Sequence, residues 1–293
     1  MTLPRSHPLT HPELPEGVEP PPPPPPRDAS GLPAWPPWAP LVAFIGALAV
    51  ALVASVVMVV AVELAGVDVD ADDTPPGVTI GATVAQGIGL VVFAVLIARA
   101  TAGRVSPADF GIRRTDPARA VGWTAAAWVA FLVVSAAWAA ALGIEQSDDL
   151  PERLGADDDT AALVAVTIMA TVVAPITEEL FFRGFCFTAL RRWLGLLPGA
   201  IATGVIFGAI HAGGSDAEFL VPLGVFGVIL CLLYWKTNSL LPPMVLHALN
   251  SSIAVGVSLE WPAWAVALTM AVASGLIVAG GLALSRRPSP AVP

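Results

Sequence analysis

The sequence predicts an all-α protein, a polytopic membrane helix bundle of about eight transmembrane helices. Of its 293 residues, 56% are hydrophobic and only 13% are charged, and the mean hydropathy is +0.76. These values lie outside the range of soluble globular proteins and within that of multi-pass membrane proteins. The net charge of −9 does not suggest a nucleic-acid partner. We therefore expect a multi-pass protein of the cell membrane whose apolar surface faces the lipid bilayer.

The eight elements follow from apolar run length. A helix of about 20 mostly apolar residues crosses a hydrocarbon core of roughly 30 Å. The fifth candidate is the shortest, and the fourth is long enough to tilt or to kink at Pro175, because proline interrupts helix hydrogen bonding. The candidate segments are 40–65, 78–101, 119–143, 161–190, 196–212, 218–236, 240–258 and 262–284.

The loop charges predict the orientation. Basic residues fall between segments two and three, four and five, and six and seven, and also flank the bundle at both ends. The alternate loops are acidic, with Arg153 as their one basic residue. Because cytoplasmic loops attract Lys and Arg, both termini are expected to be cytoplasmic. An odd number of spans would break this alternation.

Three regions are expected along the chain. Residues 1–36 are predicted to be a disordered, proline-rich cytoplasmic tail, with seven consecutive prolines at 20–26. A plain solvated tail is favoured, and a proline-rich site for a partner is the alternative. Residues 37–287 form the membrane domain, and 288–293 form a short second tail. Cys186 and Cys231 are interpreted as small buried apolar residues.

Among the charged and histidine residues, the candidates for the hydrocarbon region, away from the span ends, are Glu178, Glu179, Arg183, His211 and His247. Each costs about 2.5–3.5 kcal/mol or more in hydrocarbon, so such groups usually face the bundle interior or a wet cavity. Glu179 and Arg183 are four residues apart, in the favourable order for an ion pair on one helix face. Glu178 points about 100° away and needs a partner from another helix, or else stays protonated.

Depth along the helices indicates that partner. Glu178 and His211 both lie roughly 20 Å from the cytoplasmic ends of their helices, and His247 roughly 14 Å. Asn250 and Ser251 follow His247 by three and four residues, so either shares its face. Separate structural roles, an ion pair and interhelical hydrogen bonds, would also explain these residues. A single functional pocket at three helices is favoured.

These motifs resemble the CAAX prenyl protease type 2 family, also called the CPBP or Abi family of intramembrane proteases. The resemblance rests on Glu178-Glu179-x-x-x-Arg183 followed by glycine, on Phe207-x-x-x-His211 and on His247, and covers about residues 160–258. The segment 107–114 is similar to a linker that many members carry before this core.

The resemblance implies a bundle with a conical cavity open toward the cytoplasm and bilayer, and an endopeptidase that cleaves near the C-terminus of a membrane-associated peptide or protein. It assigns Glu178 as the base that activates water and His211 as the residue holding that water. His247 would stabilise the oxyanion with Asn250 or Ser251; Ser251 stands where the family usually has asparagine. Glu179, Arg183 and Phe207 would support the site, or the ion pair would bind a substrate carboxylate.

Three alternatives stay open. A metal-free mechanism without a cofactor is favoured, but two histidines and a glutamate are also a plausible ligand set for zinc. A non-catalytic immunity or scaffold protein would retain the pocket without using it. A proton-coupled transporter is a further alternative, because buried Glu, His and Arg also form proton relays.

Overall fold

The computed structural model describes residues 33, 35–69, 74–144, 148–212 and 214–285. These residues form helices joined by loops. In chain order the helices are α1 (Ala39–Leu64), α2 (Pro76–Ala102), α3 (Pro117–Leu142), α4 (Leu150–Arg153), α5 (Thr160–Leu194), α6 (Leu196–Ala209), α7 (Ala217–Thr237), α8 (Leu241–Ser258) and α9 (Ala263–Ser285).

Each of the eight predicted segments is helical, and α4 is an additional short helix in an acidic loop. Six helices, namely α1, α2, α3, α5, α7 and α9, are long and apolar enough to cross a membrane. The 14 residues of α6 span only about 21 Å, and the polar residues of α8 lower its hydropathy. The all-helical, multi-pass membrane fold is confirmed, whereas the count of eight spans and the cytoplasmic termini stay predictions.

The helix α5 contains two π-helical segments within its α-helical length. Met169–Val173 and Leu180–Phe187 form π-helical segments, and Ala174–Glu179 is α-helical between them. Pro175, which lacks a backbone N–H, is the second residue after the end of the first π-helical segment. The distortion expected at this proline therefore takes the form of changes in helix type. Because π-helical turns are frequent at functional sites, their position on both sides of Glu178 and Glu179 favours a functional site at these residues.

Glycines bring α6 and α7 into close contact. A Cβ atom at Gly204 would lie 2.6 Å from the carbonyl oxygen of Gly224, and one at Gly208 would lie 2.6 Å from that of Leu220. Small residues four apart allow helix backbones to approach closely in membranes. This packing holds the α6 motif residues against α7.

The segment between α2 and α3 packs against α5 and the turn between α7 and α8. Gly111 has φ +90°, where a side chain would be strained, and its carbonyl oxygen accepts a 2.8 Å hydrogen bond from Leu240 N. The Ser239 hydroxyl donates to the carbonyl oxygen of Arg113 at 2.6 Å. A Cβ atom at Gly184 would lie 2.6 Å from the Phe110 carbonyl oxygen. This segment thus connects the second π-helical segment of α5 to the start of α8.

The N-terminal boundary of the packed core needs a correction. Trp35 lies within the predicted tail, yet its side chain is buried, with ring centroids 5.0 Å from Phe110 and 4.9 Å from Phe185. The packed core therefore extends beyond the predicted boundary at residue 37 to include Trp35. The proline run at 20–26 and the short tail at 288–293 lie outside the described residues.

Candidate active site

The carboxylate of Glu179 joins α5 to α8. Its side chain has no solvent exposure, and Oε1 accepts hydrogen bonds from Arg183 Nη1 at 2.7 Å and from His247 Nδ1 at 2.9 Å. The ion pair predicted from the four-residue spacing is present. The bond from His247 was not predicted, and it fixes the orientation of that imidazole.

Arg183 is held by three helices. Besides Glu179 on its own helix, its Nη2 donates to the carbonyl oxygen of Gly227 on α7 at 3.3 Å. The guanidinium also lies over the ring of Phe207 on α6, 4.3 Å from the centroid, at a distance typical of a cation–π interaction. Because Arg183 is fully buried, this placement favours a supporting role over binding a substrate carboxylate.

The ring of Phe207 lies at the centre of the cluster. Its centroid is 4.9 Å from the ring of His211 and 5.9 Å from the ring of His247. Phe182 packs edge-on against it at 5.3 Å. Residues from α5, α6 and α8, together with His211 just beyond α6, therefore meet around one aromatic ring. Glu178 is not among the residues in contact with this ring, so the predicted pocket that includes it stays a prediction.

His211 is oriented by the helix that precedes it. Its Nδ1 lies 2.7 Å from the carbonyl oxygen of Phe207. A carbonyl oxygen only accepts, so this contact places a proton on Nδ1, and in the neutral ring Nε2 then carries the lone pair. The half-buried imidazole thus offers Nε2 as a hydrogen-bond acceptor.

Glu178 differs sharply from its neighbour Glu179. Its side chain is half-buried, and its Oε2 atom is shielded from solvent with no hydrogen-bond partner among the described residues. His211 directs its Nδ1 to Phe207, not to Glu178. The predicted approach of Glu178 to His211 therefore stays a prediction, while the distinction between a paired and an unpaired glutamate is observed.

Asn250 and Ser251 lie on α8 after His247 and are both half-buried. In the described part of the chain, no side-chain hydrogen bond involves either of them, so both amide and hydroxyl are available as donors. The structure leaves open which of the two would act with His247.

Sequence reasoning missed the contribution of α7. Gly227 supplies the carbonyl oxygen that accepts from Arg183, and the Phe226 ring lies 5.8 Å from that of His247. The small residues of α7 opposite Gly204 and Gly208 were the available signal, because they indicate close backbone approach.

The donor geometry gives little support to zinc. Across the described residues, no three His, Cys, Asp or Glu side chains are grouped so that they could hold a metal ion. The metal-free mechanism stays a prediction. So does the conical cavity, since the two cavities described, of about 430 and 350 Å³, lie away from these residues.

Comparison with protein families decides the resemblance. Residues 160–253 match the Rce1-like family. The family is described as the type II CAAX prenyl endopeptidases, Rce1-like. This Rce1-like segment, residues 160–253, contains every residue of the candidate site from Glu178 to Ser251, and it confirms the family resemblance seen in the motifs.

Two curated relatives match part of the chain. "Putative membrane peptidase YdiL" of Bacillus subtilis is 29% identical over 103 residues, which are 35% of this chain and 41% of the relative. "Uncharacterized 24.3 kDa protein" of Escherichia coli is 28% identical over 101 residues, 32% of this chain and 45% of the relative. The chain thus spans less than half the length of either relative. No solved structure gives a significant match.

Proposed function

We propose that this protein is an intramembrane endopeptidase that hydrolyses a peptide bond near the C-terminus of a membrane-associated substrate, using a water activated by Glu178 and His211. One observation carries the proposal. Within the Rce1-like segment, Glu179 forms an ion pair with Arg183 and accepts from His247, both through Oε1, whereas the adjacent Glu178 forms neither kind of contact among the described residues. Each glutamate also has a buried Oε2 atom without a partner there, so it is the engagement of Oε1 in Glu179 that separates the two. One glutamate is structural and the other is available for chemistry.

Glu178 would act as the general base. It takes a proton from water while the water oxygen bonds to the carbonyl carbon of the scissile peptide. The C–N bond then breaks, and the protonated Glu178 returns its proton to the leaving amine. A positioned base or acid of this kind contributes about 10²- to 10⁴-fold to the rate. His211 would hold the same water through Nε2, because its Nδ1 is bonded to Phe207.

The oxyanion that forms at the carbonyl requires a donor. With Nδ1 bonded to Glu179, His247 donates from Nε2 only as the imidazolium, which carries a proton on both nitrogens. The Glu179 carboxylate stabilises such a cation and fixes its orientation. Asn250 and Ser251, on the same helix, are neutral donors that need no added charge. One positioned donor is worth about 10²- to 10³-fold in rate.

Expression in a host that lacks the protein provides the test. Membrane-protein C-terminal peptides are compared by mass spectrometry between cells expressing wild type, Glu178→Gln, His211→Gln and the control Glu63→Gln. Glu63 is an exposed carboxylate in the last turn of α1, so its variant should retain every product. The two site variants should lose the shortened C-terminal peptides at equal protein level. Products that persist in both site variants would contradict the proposed mechanism.

The same comparison addresses the non-catalytic alternative. An immunity or scaffold protein would yield no wild-type-dependent C-terminal peptides, and its cellular phenotype would be unchanged in both site variants. The proline-rich tail as a site for a partner protein is a separate proposal. Deletion of residues 1–32 should leave proteolysis intact if the tail serves only binding.

A further inference from the structure

We propose that the outer face of α3, together with the end of α7, forms a binding site for one anionic phospholipid. Its headgroup phosphate would lie between Arg119 and Lys236, and an acyl chain would run along Gly122 and Ala126. This site is separate from the candidate active site and does not depend on the proposed proteolysis.

The first observation is a groove on a single helix face. A shallow, open groove of about 350 Å³ is lined by Arg119, Gly122, Trp123 and Ala126. These residues are spaced i, i+3, i+4 and i+7, so they form one stripe of α3. A Cβ atom at Gly122 would meet nothing within 4 Å. The floor of the groove is therefore both apolar and open, which suits an acyl chain.

The second observation is a pair of cations at one end of the groove. Arg119 lies in the first turn of α3 and Lys236 in the last turn of α7. The Arg119 Nη2 group donates to the Lys236 carbonyl oxygen, which holds the two residues together. Among the described residues, neither cation forms a salt bridge with a carboxylate. The neighbouring Asp116 carboxylate accepts from the Arg119 backbone N–H at 2.7 Å and so caps the helix. Two adjacent cationic side chains without a salt bridge fit a phosphate.

The third observation is the aromatic setting of Lys236. Its Nζ atom lies 4.8 Å from the centroid of the Trp123 ring and 4.6 Å from that of Trp235. Both indoles are about two-fifths exposed, at 40% and 41%. Exposed tryptophans at the end of a spanning helix are typical of the membrane–water interface. The lysine is thereby held at headgroup depth.

These features select a lipid over a soluble anion. A free phosphate would use the two cations but not the apolar floor beyond them. The basic loops place this end of α3 and α7 on the predicted cytoplasmic side, where anionic lipids attract Lys and Arg. The site therefore combines two cations that bind a headgroup phosphate with an apolar surface that contacts an acyl chain.

Native mass spectrometry of the purified full chain tests the site. The protein is titrated with phosphatidylglycerol or phosphatidylcholine, and the dissociation constant of the first bound lipid is measured. Wild type should bind phosphatidylglycerol more tightly. Arg119→Gln and Lys236→Gln should each weaken that binding about fivefold. The matched control Arg192→Gln removes an exposed arginine at the end of α5 and should leave the constant unchanged.

Two further measurements distinguish a bound phospholipid from a bound soluble anion. Gly122→Leu fills the groove and keeps both charges, so it should abolish the preference for phosphatidylglycerol; it also tests the site if Arg119→Gln fails to fold. Glycerol 3-phosphate, which lacks acyl chains, should not compete. Three results would each overturn the lipid site. One is an equal loss of phosphatidylglycerol affinity in Arg119→Gln and Arg192→Gln. The others are an unchanged preference for phosphatidylglycerol in Gly122→Leu, and competition by glycerol 3-phosphate at equal concentration.

Discussion

Replacing Arg183 by methionine should strongly destabilise the bundle. The substitution keeps an unbranched side chain of similar length but leaves the Glu179 carboxylate fully buried with His247 as its remaining hydrogen-bond donor. It also removes the bond to the Gly227 carbonyl oxygen and the cation–π contact with Phe207. Removing one partner of a buried ion pair typically costs about 3–5 kcal/mol, so we expect a loss of that size in the free energy of unfolding.

The measurement is an SDS titration in mixed micelles, followed by circular dichroism of the helices. Arg192→Met is the matched control on the same helix, because Arg192 is exposed and such a substitution usually changes stability by less than about 0.5 kcal/mol. The double variant Glu179→Gln/Arg183→Met removes both charges. It should cost less than the two single variants summed, with a coupling energy of about 1–3 kcal/mol. Equal effects of Arg183→Met and Arg192→Met, or strict additivity in the double variant, would refute this reasoning.

Two other predictions concern helix packing and the oxyanion donor. Gly208→Ala should destabilise the protein by about 1–3 kcal/mol through overpacking, because its Cβ atom would lie 2.6 Å from the Leu220 carbonyl oxygen. In the same SDS titration the control Gly275→Ala should leave the free energy of unfolding unchanged, because a Cβ atom there meets nothing within 4 Å. Either Asn250→Ala or Ser251→Ala should reduce the cleavage rate about 10²- to 10³-fold, namely the variant that lacks the oxyanion donor, and the other should cleave near the wild-type rate. Similar small losses in both variants would show that His247 stabilises the oxyanion without either residue.

Much of the fold was predictable because membrane helices are specified locally. A run of about 20 apolar residues forms a helix in a membrane because its backbone groups must bond within the segment, so most of the helical segments could be read from run length. Whether a helix fully crosses the bilayer depends on its neighbours as well. The short α6 packs through Gly204 and Gly208 against α7, and that contact lets a 14-residue helix lie within the bundle.

The residues of the candidate site could be named from the sequence, but the hydrogen bonds between them could not all be predicted. Four-residue spacing within one helix gave the pair of Glu179 and Arg183. The bond from His247 to Glu179 joins residues 68 positions apart, and no periodicity specifies such a contact. The π-helical segments were not predicted either. They alter the angular positions that an ideal α-helix assigns to residues within and next to them, such as Arg183 and Glu178. The tail boundary followed from the proline-rich composition of residues 1–36, and composition gives no sign that Trp35 packs against Phe110 and Phe185, which are distant in the chain.

The role of Glu178 is tested most directly by the cleavage rate of the purified protein on a C-terminal peptide substrate identified from cells. Wild type and Glu178→Gln are compared in the same lipid, since glutamine keeps the size of the side chain and removes its basicity. The account predicts a rate about 10²- to 10⁴-fold lower in Glu178→Gln, with unfolding unchanged. A variant that cleaves at the wild-type rate would show that the unpaired glutamate is not the base.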